Sequence, residues 1–339
     1  MTPDTTHLHK VKPPSRLPTA EPFTICSTPD IDGSTVLLSG AIFRRTSGAE
    51  VSESDEAEEK KESRNPSSPR NVKKYILFMT GWNETYLKYL HFLPHLTSLG
   101  TVLTFDHRSQ GLSGRPLPEL NASHVLSFDS YVSDAHKICN AFVPSGATID
   151  IVCMSMSGLI SLKLAGLHPS RYSSVATIAP MIKFRTGPLP WAAVGGVVSL
   201  LKLLGLGSSL AMGYPKPLTR PTKTTHSSPN LDSWLSLQRL HPLVRLLGPT
   251  NSWVSSCWFA CESFLRRYSA SPYPVRALVV LATDDVFVHH AAARDFAEGQ
   301  GKVKVVEVEG GYHELLIEEE EYYGKAVGEI TRFLKGEEG

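Results

Sequence analysis

Apolar residues along the chain follow two alternating rhythms. Short runs rich in β-branched residues, at 73–79, 101–105, 148–154, 174–178, 276–281 and 302–308, are bounded by Gly, Pro, Asn or Asp and predict strands. Between and after them, apolar positions recur at helical spacing over 84–99, 127–142, 158–165 and 319–334. Ahead of all this, 23–27 and 35–43 flank Pro29-Asp30-Ile31-Asp32-Gly33 and predict an antiparallel hairpin. Strand and helix in alternation imply a mostly parallel sheet covered on both faces. The rhythm stops between 181 and 274, where apolar helical stretches are broken by Pro and Gly and no convincing strand occurs. The expected architecture is therefore α/β, an eight-stranded, mostly parallel sheet flanked by helices, with a helical cap inserted after the sixth strand.

The same pattern divides the chain. Residues 1–20, with several prolines, read as a disordered arm, and 21–180 with 275–339 as the core. The charged, Ser-rich stretch 48–70 reads as a flexible loop between two strands. The cap spans 181–274. Inside it, 191–214 is almost wholly apolar and approaches the ~20 residues that cross a bilayer. It carries Lys202 near its middle, together with glycines and serines, so it is read as a lid helix or interface-dipping element rather than a span.

Composition narrows the partners. With 339 residues, 41% of them apolar and 20% charged, the chain can bury a large core. A formal net charge of +1 gives no reason to expect nucleic acid. Five cysteines without close paired spacing suit reduced thiols in a reducing compartment. Cys257 and Cys261 stand one helical turn apart, but no third ligand is near in sequence, so packing is expected and no metal or cofactor. The first residues carry Pro, His and Lys with no apolar core, unlike a secretory signal. The expected location is cytoplasmic, with peripheral membrane contact through the cap.

Candidate chemistry centres on Asp150-Ile-Val-Cys153-Met-Ser155-Met156-Ser157-Gly158. A serine at a strand-to-helix junction is the pattern of the nucleophile elbow, where a strained turn exposes the hydroxyl. Small residues are wanted two places either side. Here those places hold Cys153 and Ser157, a degenerate form of Gly-x-Ser-x-Gly. Ser157 competes as nucleophile, but its own flanks are Ser155 and the large Leu159, which favours Ser155.

Partners for the serine belong just after other parallel strands, at their carboxyl ends. Asp284 and Asp285 follow 276–281, and His313 follows 302–308. Serine, acid, histidine is the chain order of an α/β-hydrolase. Imidazole takes and returns the serine proton, and a carboxylate fixes the tautomer and stabilises the imidazolium. Thr80-Gly81-Trp82-Asn83-Glu84, after the strand ending at Met79, forms a turn able to aim a backbone N–H at a developing oxyanion. The expected donors are the N–H groups of Trp82 and Met156, each worth ~3 kcal/mol in such sites.

Thr80-Gly-Trp-Asn-Glu-Thr-Tyr-Leu-Lys-Tyr89, Asp106-His-Arg-Ser-Gln-Gly-Leu-Ser-Gly-Arg115, the elbow, Ala179-Pro-Met181 and Gly311-Tyr-His-Glu314 together resemble the monoglyceride lipase and lysophospholipase branch of the α/β-hydrolases. Within it the nearer likeness is to the bacterial inner-membrane lysophospholipases, which the cap segments 225–227 and 248–253 also resemble. The likeness runs over roughly residues 23–335. It implies Ser155 as nucleophile, His313 as base and Asp285 as acid, with Asp284 open by spacing alone, and structural roles for Asp106 and Arg108. Cys153, Ser157 and Ser109 depart from the family pattern.

These readings imply a serine hydrolase of single-chain lipid esters, lysophospholipid or monoacylglycerol, working through an acyl-enzyme. The apolar stretch 188–206 suits an acyl chain, with Trp191, Val194, Val198 and Leu201 as its expected lining. A non-catalytic lipid- or partner-binding protein of the same fold is the competing class, motivated by the degenerate elbow. Within enzymes, acyl transfer and aminopeptidase-like amide hydrolysis also fit the family.

Overall fold

The computed structural model describes residues 19–45, 74–117, 121–211 and 223–337. Nearly all of the arm expected at 1–20, and all of the loop expected at 48–70, lie outside the described residues. Eight strands form one sheet: β1 (Ala20–Cys26), β2 (Leu37–Phe43), β3 (Tyr75–Met79), β4 (Thr101–Phe105), β5 (Ile149–Met154), β6 (Tyr172–Ile178), β7 (Arg276–Ala282) and β8 (Val303–Val308). Their order is β1-β2-β4-β3-β5-β6-β7-β8. The hairpin β1–β2 and the β2–β4 pair are antiparallel, and every later pair is parallel.

Period-two alternation sorts the strand side chains onto two faces. Leu77, Met79, Ile151, Cys153, Val279 and Leu281 join one apolar cluster, with α2 (Asp129–Phe142), α3 (Met156–Leu167), α6 (Asn251–Ser269) and α7 (His290–Ala297). Ile76, Phe78, Val152, Met154, Leu278 and Val280 join the other, with α1 (Leu93–Thr97) and α8 (Glu320–Lys335). The central strands are buried on both faces, which is why they read as unbroken apolar runs. Helix α8 covers its face with an amphipathic stripe, carries Glu320 and Glu321 in its first turn, and stops at Gly336 with φ 74°.

Two local expectations need correction. The helix expected over 84–99 is a 3₁₀ turn, Tyr86–Tyr89, followed by the short α1. Asp106 draws the chain out of helical register by accepting from Tyr86 N–H at 2.9 Å and from the Thr85 hydroxyl at 2.8 Å. Pro94 then removes a donor from any longer helix. Helix α7 was not expected at all.

Between β6 and β7 the described residues hold α4 (Trp191–Leu201), α5 (Ser228–Leu240) and α6, and no strand beyond isolated bridges. Helix α4 packs on α6 closely enough that a Cβ at Gly195 would lie 2.4 Å from the Trp258 ring. Beyond α4 the chain makes a wide turn over Lys202–Leu206, with Gly205 at φ 79°. Its outer side leaves Leu203, Leu204 and Leu206 exposed, as is Leu200 at the end of α4.

Candidate active site

The turn between β5 and α3 places Ser155 at φ 51°, ψ −118°. A non-glycine residue held there costs about 1–3 kcal/mol, and neighbouring bonds maintain it. Ser155 N–H donates to Ile178 O at 2.9 Å, and its carbonyl accepts from Gly158 at 2.9 Å and from Met181 at 2.8 Å. Close approach falls on Gly158, where a Cβ would lie 2.5 Å from Pro180 Cβ and 2.6 Å from Thr177 Oγ1. The glycine therefore sits three places after the serine. Cys153 and Ser157 both fit without exposure.

His313 and Asp285 reach the serine from the ends of β8 and β7. His313 Nε2 lies 2.9 Å from Ser155 Oγ, and its Nδ1 lies 2.5 Å from Asp285 Oδ2. The other Asp285 oxygen accepts from Phe287 N–H at 2.7 Å. Asp284 is exposed, its carboxylate meeting the Thr283 hydroxyl at 3.4 Å, so of the two acids the structure brings Asp285 to the histidine. Burial pushes the Asp285 carboxyl up, but His290 at 3.7 Å and the bond to His313 hold it well below the ordinary range. For His313, burial favours the neutral ring, and Asp285 outweighs it and raises the pKa. The arrangement is an imidazole able to take a serine proton and remain stable when charged.

The Thr80–Trp82 turn lies against the elbow, since a Cβ on Gly81 would come within 3.1 Å of Ser155 Cβ. Gly81 N–H donates to Glu84 Oε2 at 2.5 Å, and Asn83, at φ 62°, donates to Gln110 Oε1 at 2.6 Å. Among the described residues neither the Trp82 nor the Met156 N–H is engaged by a protein acceptor. Gln110 also reaches Met156, with Nε2 3.5 Å from Sδ, and so touches one expected donor residue and the neighbour of the other.

Beside this site lies a buried ionic cluster that sequence reasoning missed. Lys88 Nζ bonds Glu84 Oε1 at 2.6 Å and also Glu314, and the Tyr89 hydroxyl donates to Glu84 Oε1 at 2.6 Å. The cluster ties the turn after β3 to the residue following His313. The i,i+4 spacing of Glu84 and Lys88 and the adjacency of Glu314 to His313 were its signals in the sequence. Asp106 and Arg108 are structural in contact as well as in family likeness. Asp106 bonds Thr85, Tyr86 and Leu112, while Arg108 clasps Asp134 and the Thr28 carbonyl.

Of the residues expected to line an acyl path, Val198 is buried in the cluster that holds Met156, Met181 and Trp253, with Trp191 and Val194 packed against it. Leu201 is half-buried. Trp191 also donates to Glu262 at 2.7 Å and stacks on Trp258 at 5.9 Å. A separate cleft of about 370 Å³, lined in part by Phe23, Arg44, Tyr75 and Phe142, opens where β3 and β4 begin, at the opposite end of the strands from Ser155. No helix among the described residues is long and apolar enough to cross a membrane. All five cysteines are free, Cys257 and Cys261 fully buried among them.

The chain is 27% identical over 277 residues to lysophospholipase L2 of Escherichia coli K12, covering 76% of this chain and 79% of that one. It is 22% identical to the probable lysophospholipase L2 of Haemophilus influenzae, covering 78% and 84%. Among solved structures, a soluble variant of monoglyceride lipase from Saccharomyces cerevisiae superposes with TM-score 0.68 at 13% identity, covering 97% of this chain and 98% of that one. Monoacylglycerol lipase from Paleococcus ferrophilus gives 0.60 at 16%, covering 78% and 95%. The family model described as serine aminopeptidase, S33 matches residues 70–320, and the chain belongs to that α/β-hydrolase family.

Proposed function

We propose that this protein is a serine hydrolase that cleaves the carboxylic ester of a single-chain lipid, a lysophospholipid or a monoacylglycerol, through an acyl-enzyme on Ser155. The observation that carries the reading is the hydrogen-bonded row Ser155–His313–Asp285 at the carboxyl ends of β5, β8 and β7. As Ser155 Oγ bonds to the ester carbonyl carbon, its proton passes to His313 Nε2 and the carbonyl oxygen becomes anionic. Backbone N–H groups of Trp82 and Met156 receive that charge. Collapse breaks the bond to the alcohol, which departs with the proton from Nε2. Water then repeats the sequence on the acyl-enzyme and frees the fatty acid, while Asp285 steadies the imidazolium in both halves.

The substrate class follows from relatives named as lysophospholipases and fold neighbours named as monoglyceride lipases. Residues 181–274 act as a cap whose inner face, with Trp191, Val194, Val198 and Leu201, takes the acyl chain. Its exposed leucines rest on the lipid surface from the cytoplasmic side. The test is turnover of lysophosphatidylcholine and monooleoylglycerol beside a peptide amide, in the parent and in Ser155→Ala. Ester turnover lost in Ser155→Ala is expected. Undiminished turnover in that variant, or preference for the amide, would overturn the reading.

A further inference from the structure

The residue that breaks the elbow pattern has a specific set of contacts. Ser157 is fully buried, its hydroxyl donating to the Thr80 carbonyl while standing 2.7 Å from His107 Nε2. A hydroxyl has one proton, and a carbonyl only accepts. With that proton spent on Thr80, the contact to His107 requires Nε2 to carry a hydrogen. Burial holds the His107 ring neutral, its pKa lowered to about 3, and Nδ1 has no protein partner. The bonds thus run one way, from His107 Nε2–H to Ser157 Oγ and from Ser157 Oγ–H to Thr80 O.

Thr80 precedes Gly81, so this chain of bonds holds the carbonyl end of the 80–81 peptide, and Glu84 holds its N–H end. On the far side the 82–83 peptide is held through Asn83 N–H by Gln110. Only the 81–82 peptide between them, which carries the Trp82 N–H, is left to face the elbow. Two pinned neighbours fix its direction.

We infer that Ser157 is a positioning residue of the oxyanion turn, its hydroxyl fastening the Thr80 carbonyl so that the Trp82 N–H points to where the substrate's oxyanion forms. The inference rests on the hydrolase reading above and deepens it. The place where the family pattern has glycine is filled by a group that bonds the turn directly, from the same helix that supplies Met156.

Ser157→Ala removes the hydroxyl. Ser157→Gly removes it as well, leaves more room, and serves where the alanine variant fails to fold. Removing an oxyanion donor costs about 10²–10³ in kcat, and misdirecting one should cost less. With a water-soluble short-chain p-nitrophenyl ester the expected result is kcat about ten-fold lower with KM changed less than two-fold. Fluorophosphonate labelling of Ser155 should slow in step, since the phosphoryl oxygen occupies the same place, with the thermal midpoint within a few degrees of the parent. Folded variants with parental kcat and labelling rate would overturn the inference while leaving the hydrolase reading intact. A parent without turnover, or with turnover that survives Ser155→Ala, would overturn both.

Discussion

Nδ1 of His313 lies 2.5 Å from Oδ2 of an Asp285 side chain that solvent does not reach. The contact holds the histidine's pKa above its ordinary value, and His290 together with this contact holds the aspartate's well below. A general base works only when neutral, so kcat/KM should rise with pH through a midpoint above the ~6.5 of free imidazole. Asp285→Asn removes the charge that retains the proton. The acid limb of the profile should move to lower pH while kcat falls by about 10⁴. A limb that stays in place in the variant would contradict the assignment of Asp285.

Glu314 acts on the same ring from one residue away. Its carboxylate raises the His313 pKa, and its own pKa is raised by burial, against the pull of Lys88. Glu314→Gln keeps the shape and removes the charge. The acid limb should again shift down, by less than in Asp285→Asn, and kcat on the plateau should change by under about ten-fold because the tautomer is still fixed. A pH–rate profile indistinguishable from the parent's would show that the ionic cluster does not reach the histidine.

Arg108 and Asp134 make a two-pronged contact, Nε and Nη2 each 2.7 Å from a carboxylate oxygen, with the side chains 2% and 1% exposed. Arg108→Leu leaves Asp134 buried without its cation. Removing one partner of such a pair costs about 3–5 kcal/mol. The urea midpoint should drop accordingly, with the pH profile of residual activity unchanged. A midpoint equal to the parent's would remove the structural role given to this arginine.

Leu203 and Leu204 are 83% and 64% exposed on the turn after α4. Burying one leucine in an apolar phase is worth about 1.5–3 kcal/mol. Leu203→Ser with Leu204→Ser should therefore weaken binding to phosphatidylcholine vesicles by at least about ten-fold in a flotation assay. Turnover of a soluble short ester should remain parental. Equal flotation of parent and variant would mean that this face does not rest on lipid.

Strands β3 to β8 and helix α8 were legible because burial on two faces, or on one stripe, writes its period directly into residue types. The positions of Ser155, His313 and the acidic pair could be read from the same strands, since each follows one. Choosing between Asp284 and Asp285 could not, because it depends on which carboxylate the turn after β7 directs inward. The helix expected over 84–99 failed for a related reason. Asp106, distant in sequence, claims the Tyr86 N–H and the Thr85 hydroxyl, and no local pattern registers that demand. Ser157 looked like a blemish in a motif, and its bond to Thr80 depends on a turn far earlier in the chain.

The bond from Met181 N–H to the Ser155 carbonyl has a mechanical consequence. Met181 is where the chain leaves the sheet for the helices above it. A cap swinging about that point would drag the strained serine with it and upset the alignment with His313. Gly187, with φ 64° and open space where a side chain would be, lies six residues beyond that tie. The tie makes the placement of the nucleophile depend on where the chain leaves the sheet.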